Sequence, residues 1–319
     1  MPTLDSQPNQ QQIIQAHERI APFIHRTPII TSETINKITG AKLYFKCENF
    51  QKVGAFKKRG ATNAILCLSD EQKAKGVITH SSGNHGQAVA LAAKEQGIKA
   101  TVVMPDNSPA VKFEATKGYG AEVVFCSANI QSRAETVERV IKDTGAHFIH
   151  PFNDYDIIAG QATAAKELIE DVTDLEIVLA PIGGGGLMSG TCLSVNYFSP
   201  NSKIIGAEPE EVDDAYRSFQ SGKIEGNDTT NTIADGLKTP LGDKTFDIIR
   251  EHVQEIITVN ESEIMAALKL AWERMKIIIE PSSAVPLAAI LKSKKQFQGS
   301  RIGIILTGGN IDLKSVDFT

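Results

Sequence analysis

The chain has 319 residues, 41% of them hydrophobic, which is long enough for two modest domains and a well-buried core. Its formal net charge of −5, with Lys/Arg and Asp/Glu interspersed and no basic stripe, argues against a nucleic-acid partner, and no apolar run is long enough to span a bilayer. Met1 to Gln12 is polar and Gln-rich without an apolar h-region, which reads as a frayed tail and makes the cytoplasm the default location, while Cys47, Cys67, Cys126 and Cys192 lack any CxxC spacing and read as buried thiols.

In chain order, the first distinctive stretch is Asn49 to Ala61, where Lys57 stands between Phe56 and a turn punctuated by Gly54 and Gly60. From Gly76 onward, β-branched runs alternate with amphipathic helical stretches. Val77 to Thr79 precedes a helix over Asn84 to Gln96, Ala100 to Met104 precedes one over Pro109 to Tyr119, and Glu122 to Phe125 precedes one over Ile130 to Thr144. That alternation predicts parallel βαβ units. Glycines at 97, 118 and 145 are expected to close these helices in the left-handed conformation. The second half repeats the pattern with strands at Ile177 to Ala180, Lys203 to Ala207 and Ile302 to Leu306. The expected fold class is α/β with two domains, each an open, twisted, mostly parallel sheet flanked by helices. A small domain (76–151) is inserted into a larger one built from 1–75 and 152–319.

Four segments carry chemistry. Gly183-Gly184-Gly185-Gly186-Leu187 follows the strand at 177–180 and opens a helix, so its amides converge where a phosphate binds. Neither glycine frame completes G-x-G-x-x-G, and no Gly-Lys-Ser/Thr follows, so a single phosphate on a small cofactor fits better than a dinucleotide or a P-loop. Ser81-Ser82-Gly83-Asn84-His85 ends one strand and opens a helix; its residues could be an ordinary N-cap, a binding loop, or both. Lys57 has a neighbour in Lys58, and a lysine in a partly buried, positive setting is a nucleophile and base. Glu208 and Asp214 bracket an acidic turn that reads either as a solvated loop or as an oxygen site for Mg²⁺, Ca²⁺ or Mn²⁺.

Together, in this order and with Thr307-Gly308-Gly309-Asn310, these segments resemble the active site of the pyridoxal-phosphate enzymes that share the tryptophan synthase β-subunit fold. The resemblance spans Ala16 to Ile20, Arg26-Thr27-Pro28, Glu280-Pro281-Ser282 and Asn310, and points to the group of serine racemases, threo-3-hydroxyaspartate ammonia-lyases and threonine dehydratases. It implies that Lys57 holds pyridoxal 5'-phosphate as a Schiff base and later acts as the base at the substrate Cα. Phe56, Asn84, the glycine loop with Leu187, and Thr307 line the cofactor; Asn84 meets its 3′-oxygen and Thr307 its pyridine nitrogen. Ser82 exchanges a proton on the opposite face. Ser81, Gly83, Asn84 and His85 grip the substrate. Arg133 and Thr239 reach toward a second carboxylate, although Arg133 could equally be a surface residue. Glu208, Asp214 and the carbonyl of Val212 bind the divalent ion. Lys58 departs from the aliphatic residue usual at its place. The implied substrate is a small β-hydroxy amino acid and the implied assembly a homodimer, with room for a nucleotide activator. The chain ends soon after Asn310, so isoleucine feedback control is not expected. A cysteine synthase-like β-replacement enzyme and a noncatalytic sensor on the same scaffold are the rivals.

Overall fold

The computed structural model describes residues 3–81, 83–108, 110–316 and 318; Ser82, to which the resemblance assigns the second proton transfer, lies outside the described residues. Two sheets organise these. The smaller comprises β3 (Val77–His80), β4 (Ala100–Pro105), β5 (Glu122–Cys126) and β6 (His147–Phe148), all parallel in the order β5-β4-β3-β6. The larger draws on both flanking parts of the chain: β1 (Ile29–Ile30), β2 (Lys42–Cys47), β7 (Ile177–Pro181), β8 (Lys203–Pro209), β9 (Glu255–Val259) and β10 (Arg301–Leu306), in the order β1-β2-β10-β7-β8-β9. All of its pairings are parallel except β1 with β2. β7 is buried throughout, as expected for a parallel strand covered on both faces by helices. Among the described residues no helix is long and apolar enough to cross a membrane.

The expected α/β class is what the chain adopts, with four strands, β1, β2, β6 and β9, beyond those read from the sequence. One helix end differs. Gly97 and Gly145 do take positive φ, at +67° and +70°, but Gly118 does not; the left-handed turn falls on Gly120, at +96°. The backbone amide of Tyr119 still donates to Ala115 and that of Gly120 to Lys117, so the helical winding runs past Gly118 before the chain reverses.

What positions the site is a stack of three helices, Lys57–Cys67, Tyr155–Asp171 and Gly186–Phe198. A Cβ added at Gly160 would stand 2.6 Å from the Gly60 Cα, and one at Gly190 would stand 2.5 Å from the Ala162 amide. The backbones meet directly, and no side chain larger than hydrogen fits between them. The middle helix thereby holds the starts of the other two, Lys57 on one and the glycine loop on the other, on a common frame. Arg59 reinforces it: fully buried, it donates to both Glu48 oxygens and both Glu167 oxygens at 2.8 Å. Lys46, equally buried, contacts Glu167 at 2.6 Å.

Candidate active site

Lys57 opens its helix immediately after Phe56, whose amide donates to the carbonyl of Thr307 just beyond β10. The stem of Lys57 keeps some exposed surface, but its amine is enclosed, donates to the Pro151 carbonyl at 2.7 Å and sits 5.2 Å from the Phe56 ring centre. Burial lowers its pKa to about 8, against the pull of the Glu280 carboxylate. A substantial neutral fraction therefore exists near neutral pH, which is what a nucleophilic amine requires.

Two imidazoles, His85 and His150, feel the charge of this amine, His80 lies close to both, and burial holds all three toward the neutral form. His85 is buried and bonds the Ile149 carbonyl at 3.2 Å; because a carbonyl only accepts, Nε2 carries the proton. Burial, then the Lys57 charge, holds its pKa well below the usual histidine value. His150 accepts two amides on Nδ1, from Phe152 at 3.2 Å and Asn153 at 2.8 Å, so its proton also sits on Nε2. Burial brings both His150 and His80 down to about 4.

Asn84 is the first residue of the helix Asn84–Glu95. Its Nδ2 donates to the two oxygens of buried Glu280 at 3.0 and 3.1 Å. Thr307 pairs with Ser283 at 2.8 Å between hydroxyls and lies 3.5 Å from a Glu280 oxygen. In the preceding loop, the Gly83 amide donates to the Ser81 hydroxyl at 3.1 Å, and the space a Gly83 Cβ would enter is open.

The glycine loop needs glycine for packing as well as for ligand access. A Cβ on Gly184 would strike the Phe152 ring, one on Gly183 the backbone of Leu237, and Gly185 stands at φ +87° against Leu241 and Thr245. The Thr245 hydroxyl donates to the Gly184 carbonyl at 2.9 Å, turning that carbonyl away while Gly185 and Gly186 start a 13-residue helix whose next residue, Leu187, is buried. The chemistry of this cradle suits a phosphate monoester.

Arg133 is half-buried on the helix Ile130–Thr144; its charge adds to the burial that lowers His80 and opposes the burial that raises the Cys126 thiol, the residues that end β3 and β5. Its Nε is buried and has no hydrogen-bond partner among the described residues. Thr239 is exposed, in the segment between Leu237, which abuts Gly183, and Leu241, which abuts Gly185.

The acidic turn is divided: Glu210 and Glu211 are exposed, whereas the bracketing carboxylates of Glu208 and Asp214 are buried. Glu208, at the end of β8, accepts the amides of Ala215 and Tyr216; Asp214 accepts Asn227 Nδ2 at 2.5 Å and the Leu241 amide at 3.1 Å; both carboxylates are fully buried, as is Val212. Burial and then the Asp214 charge drive the Glu208 pKa well above the carboxylate range, and burial lifts Asp214 to about 6. Among the described residues no group of three His, Cys, Asp or Glu that could hold a metal is found, so a cation here would need carbonyl and water oxygens beside these two acids.

Glu280, Ser283, His150, Phe152 and Thr245 were not read from the sequence. Glu280-Pro281 did mark a helix start, since proline favours the first helical position, but nothing local shows that Glu280 would face Asn84.

An enclosed lysine amine of lowered pKa on the same frame as a glycine loop at a helix start is an arrangement in which an enzyme can hold a phosphorylated aldehyde. The chain belongs to the pyridoxal-phosphate dependent enzymes, whose family model matches residues 20–308. It is 52% identical over 306 residues to a β-hydroxyaspartate dehydratase of Paracoccus denitrificans, covering 96% of this chain and 97% of that relative. It is similar to the crystal structure of serine racemase from Dictyostelium discoideum, with TM-score 0.92 and 50% identity over 96% of this chain and 99% of that one. The L-threo-3-hydroxyaspartate ammonia-lyase of Saccharomyces cerevisiae is 46% identical over 308 residues, covering 96% of this chain and 95% of that relative. The chain is therefore a pyridoxal-phosphate enzyme of the racemase and ammonia-lyase group that acts on hydroxy amino acids.

Proposed function

We propose that this enzyme is a serine racemase with L-serine and L-threonine dehydratase activity. The observation that carries the reading is the enclosed Lys57 amine, lowered to about 8 and facing neutral histidines. Pyridoxal 5'-phosphate, when bound, supplies the electron sink that lets the substrate Cα–H ionise. The amides of Gly183 to Gly186 would hold its phosphate, Asn84 its 3′-oxygen and Thr307 its pyridine nitrogen. A Thr307 hydroxyl already shared with Ser283 is too weakly basic to keep that nitrogen protonated, which favours prompt loss of the β-hydroxyl over transamination. Lys57 would take the proton from Cα on one face. In racemisation Ser82 would return one on the other; in dehydration the β-hydroxyl leaves and the product hydrolyses to a keto acid and ammonia. Ser81, Gly83 and His85 would bound the substrate carboxylate pocket.

Glu208, Asp214 and the Val212 carbonyl would hold Mg²⁺, Ca²⁺ or Mn²⁺, in a role that stabilises the adjoining segment rather than one in chemistry. A homodimer in the cytoplasm, open to nucleotide activation, completes the reading on grounds of resemblance.

A second reading, L-threo-3-hydroxyaspartate ammonia-lyase, is favoured by Arg133, whose buried Nε has no partner among the described residues and suits a second substrate carboxylate; Thr239 belongs to the segment beside the glycine loop. The test is a side-by-side assay of cofactor-loaded protein with Mg²⁺ on L-serine, L-threonine and L-threo-3-hydroxyaspartate, following keto-acid release and enantiomer exchange. Substantial D-serine supports the racemase. Fast keto-acid release from hydroxyaspartate with little D-serine replaces it with the ammonia-lyase.

A further inference from the structure

The motif Thr307 to Asn310 contains one side chain with no part in the reading above. Asn310 donates from a single nitrogen to two oxygens: the Val53 carbonyl at 2.7 Å and Asn84 Oδ1 at 2.9 Å. The orientation of this chain of amides is forced. A backbone carbonyl only accepts, so Asn310 must turn its NH₂ edge toward Val53, and the second hydrogen of that group then meets Asn84. Asn84 is left with its oxygen toward Asn310 and its NH₂ edge toward Glu280. Reversing Asn84 would set NH₂ against NH₂ on one side and oxygen against carboxylate on the other.

The carbonyl that starts this chain is aimed by an unusual turn. Val53 is β-branched yet stands at φ 59°, ψ 10°, in the left-handed region, and Gly54 follows at φ +69°. A Cβ on Gly54 would come within 2.7 Å of Asn310 Oδ1, and the Gly54 carbonyl accepts the Gly309 amide at 2.9 Å. The turn thus lies directly against the Asn310 amide, three residues before Lys57.

We infer that Asn310 is a positioning residue: it fixes the orientation of the Asn84 amide so that Asn84 presents N–H, and never oxygen, to the cofactor's 3′-oxygen. The inference rests on the proposed contact between Asn84 and that oxygen. It links the turn before Lys57 to the start of the helix Asn84–Glu95 through one side chain.

The experiment is a double-mutant cycle on the full-length protein, comparing the native chain with N84A, N310D and N84A/N310D. Two quantities are read: the dissociation constant of pyridoxal 5'-phosphate from cofactor-free protein, and the position of the visible absorption band once it is bound. A carboxylate in place of the Asn310 amide can only accept, so it repels the Val53 carbonyl and draws the NH₂ edge of Asn84 toward itself. N310D is expected to weaken cofactor binding about tenfold and to move the band, as N84A does, and to add less than about threefold in the N84A background. Full additivity would mean that Asn310 only braces the turn and would overturn the inference. So would an unchanged band and affinity in N310D where N84A changes both. If N84A itself alters neither, the 3′-oxygen contact is wrong and the role of Asn310 falls with it. Should N310D fail to fold, N310S takes its place in the same cycle with the same expected coupling.

Discussion

Two buried charge clusters in the larger sheet's half of the molecule are handled in opposite ways. Around Arg59, the acids Glu48 and Glu167 meet cations of the chain itself, Arg59 and Lys46, with Thr163 and Thr27 filling further bonds. Despite burial, His17, Arg59 and Lys46 carry Glu167 far below the carboxylate range. Around Glu208 and Asp214, equally buried, only amides donate, and both acids are pushed upward. The first cluster is neutralised from within and braces the helix of Lys57. The second has no cation of the chain bonded to its two carboxylates among the described residues, which is why an ion is proposed there. Burial alone thus says nothing about the sign of a shift; the supply of opposite charge decides it.

The sharpest way to break the comparison is Arg59→Met, which leaves Glu48 and Glu167 short of their shared cation. A loss of about 3–5 kcal/mol is expected in urea unfolding, because an unpaired buried acid costs more than the pair contributes. Next in size is the response to Mg²⁺. The native protein should gain about 2.7 kcal/mol when the ion is present at one hundred times its dissociation constant, measured by thermal or urea unfolding with and without a chelator. Glu208→Gln should abolish that gain. Arg59→Met should retain it, which separates the two clusters. An equal response in Glu208→Gln would remove the ion from this turn.

Lys57 is a third case, a cation whose own burial lowers it to about 8. Only the neutral amine attacks an aldehyde, so the rate at which cofactor-free protein captures pyridoxal 5'-phosphate should rise about tenfold per pH unit below that value and level off above it. A stopped-flow pH series reads this directly, and a rate still climbing steeply beyond about pH 9 contradicts the assigned value. The smallest effect is expected from Lys58→Leu. Lys58 is fully buried against Glu95, but Glu95 keeps some solvent contact and a second cation, Lys52 at 3.2 Å. Stability should change by less than about 1 kcal/mol, since an apolar side chain replaces a desolvated charge without stranding its partner.

Much of this was legible in the sequence wherever the determinants are local. The β-branched runs of β3, β4, β7 and β10 became strands because buried parallel strands have to be apolar, while β5, at the edge of its sheet, kept the pattern though largely half-exposed. The glycine loop and Lys57 were legible because their neighbours in sequence also define their setting. β2 escapes such a reading because Lys42 and Lys46 interrupt its apolar character; Lys46 is tolerated inside through the Thr27 carbonyl and through Glu167, far along the chain. β9 was within reach, as Glu255-Ile256-Ile257-Thr258-Val259 is a β-branched run. The partners of Asn84, namely Glu280 and Asn310, were beyond reach, since they lie 196 and 226 residues away and meet it only across the junction of the two sheets. The choice between Gly118 and Gly120 turned on a single further step of helical winding, which composition does not encode.

The contact between Gly60 and Gly160, and that of Gly190 with Ala162, works as a fixed gauge. With no side chain between the backbones, the separation of Lys57 from the glycine loop is set by the thickness of the main chain itself, so no substitution of a packing residue can retune it. That span is therefore the dimension of the frame held by backbone contact alone. A methyl group placed at position 160 would meet the Gly60 backbone and force the helix of Lys57 away from its neighbour, altering the span between lysine and glycine loop at a stroke.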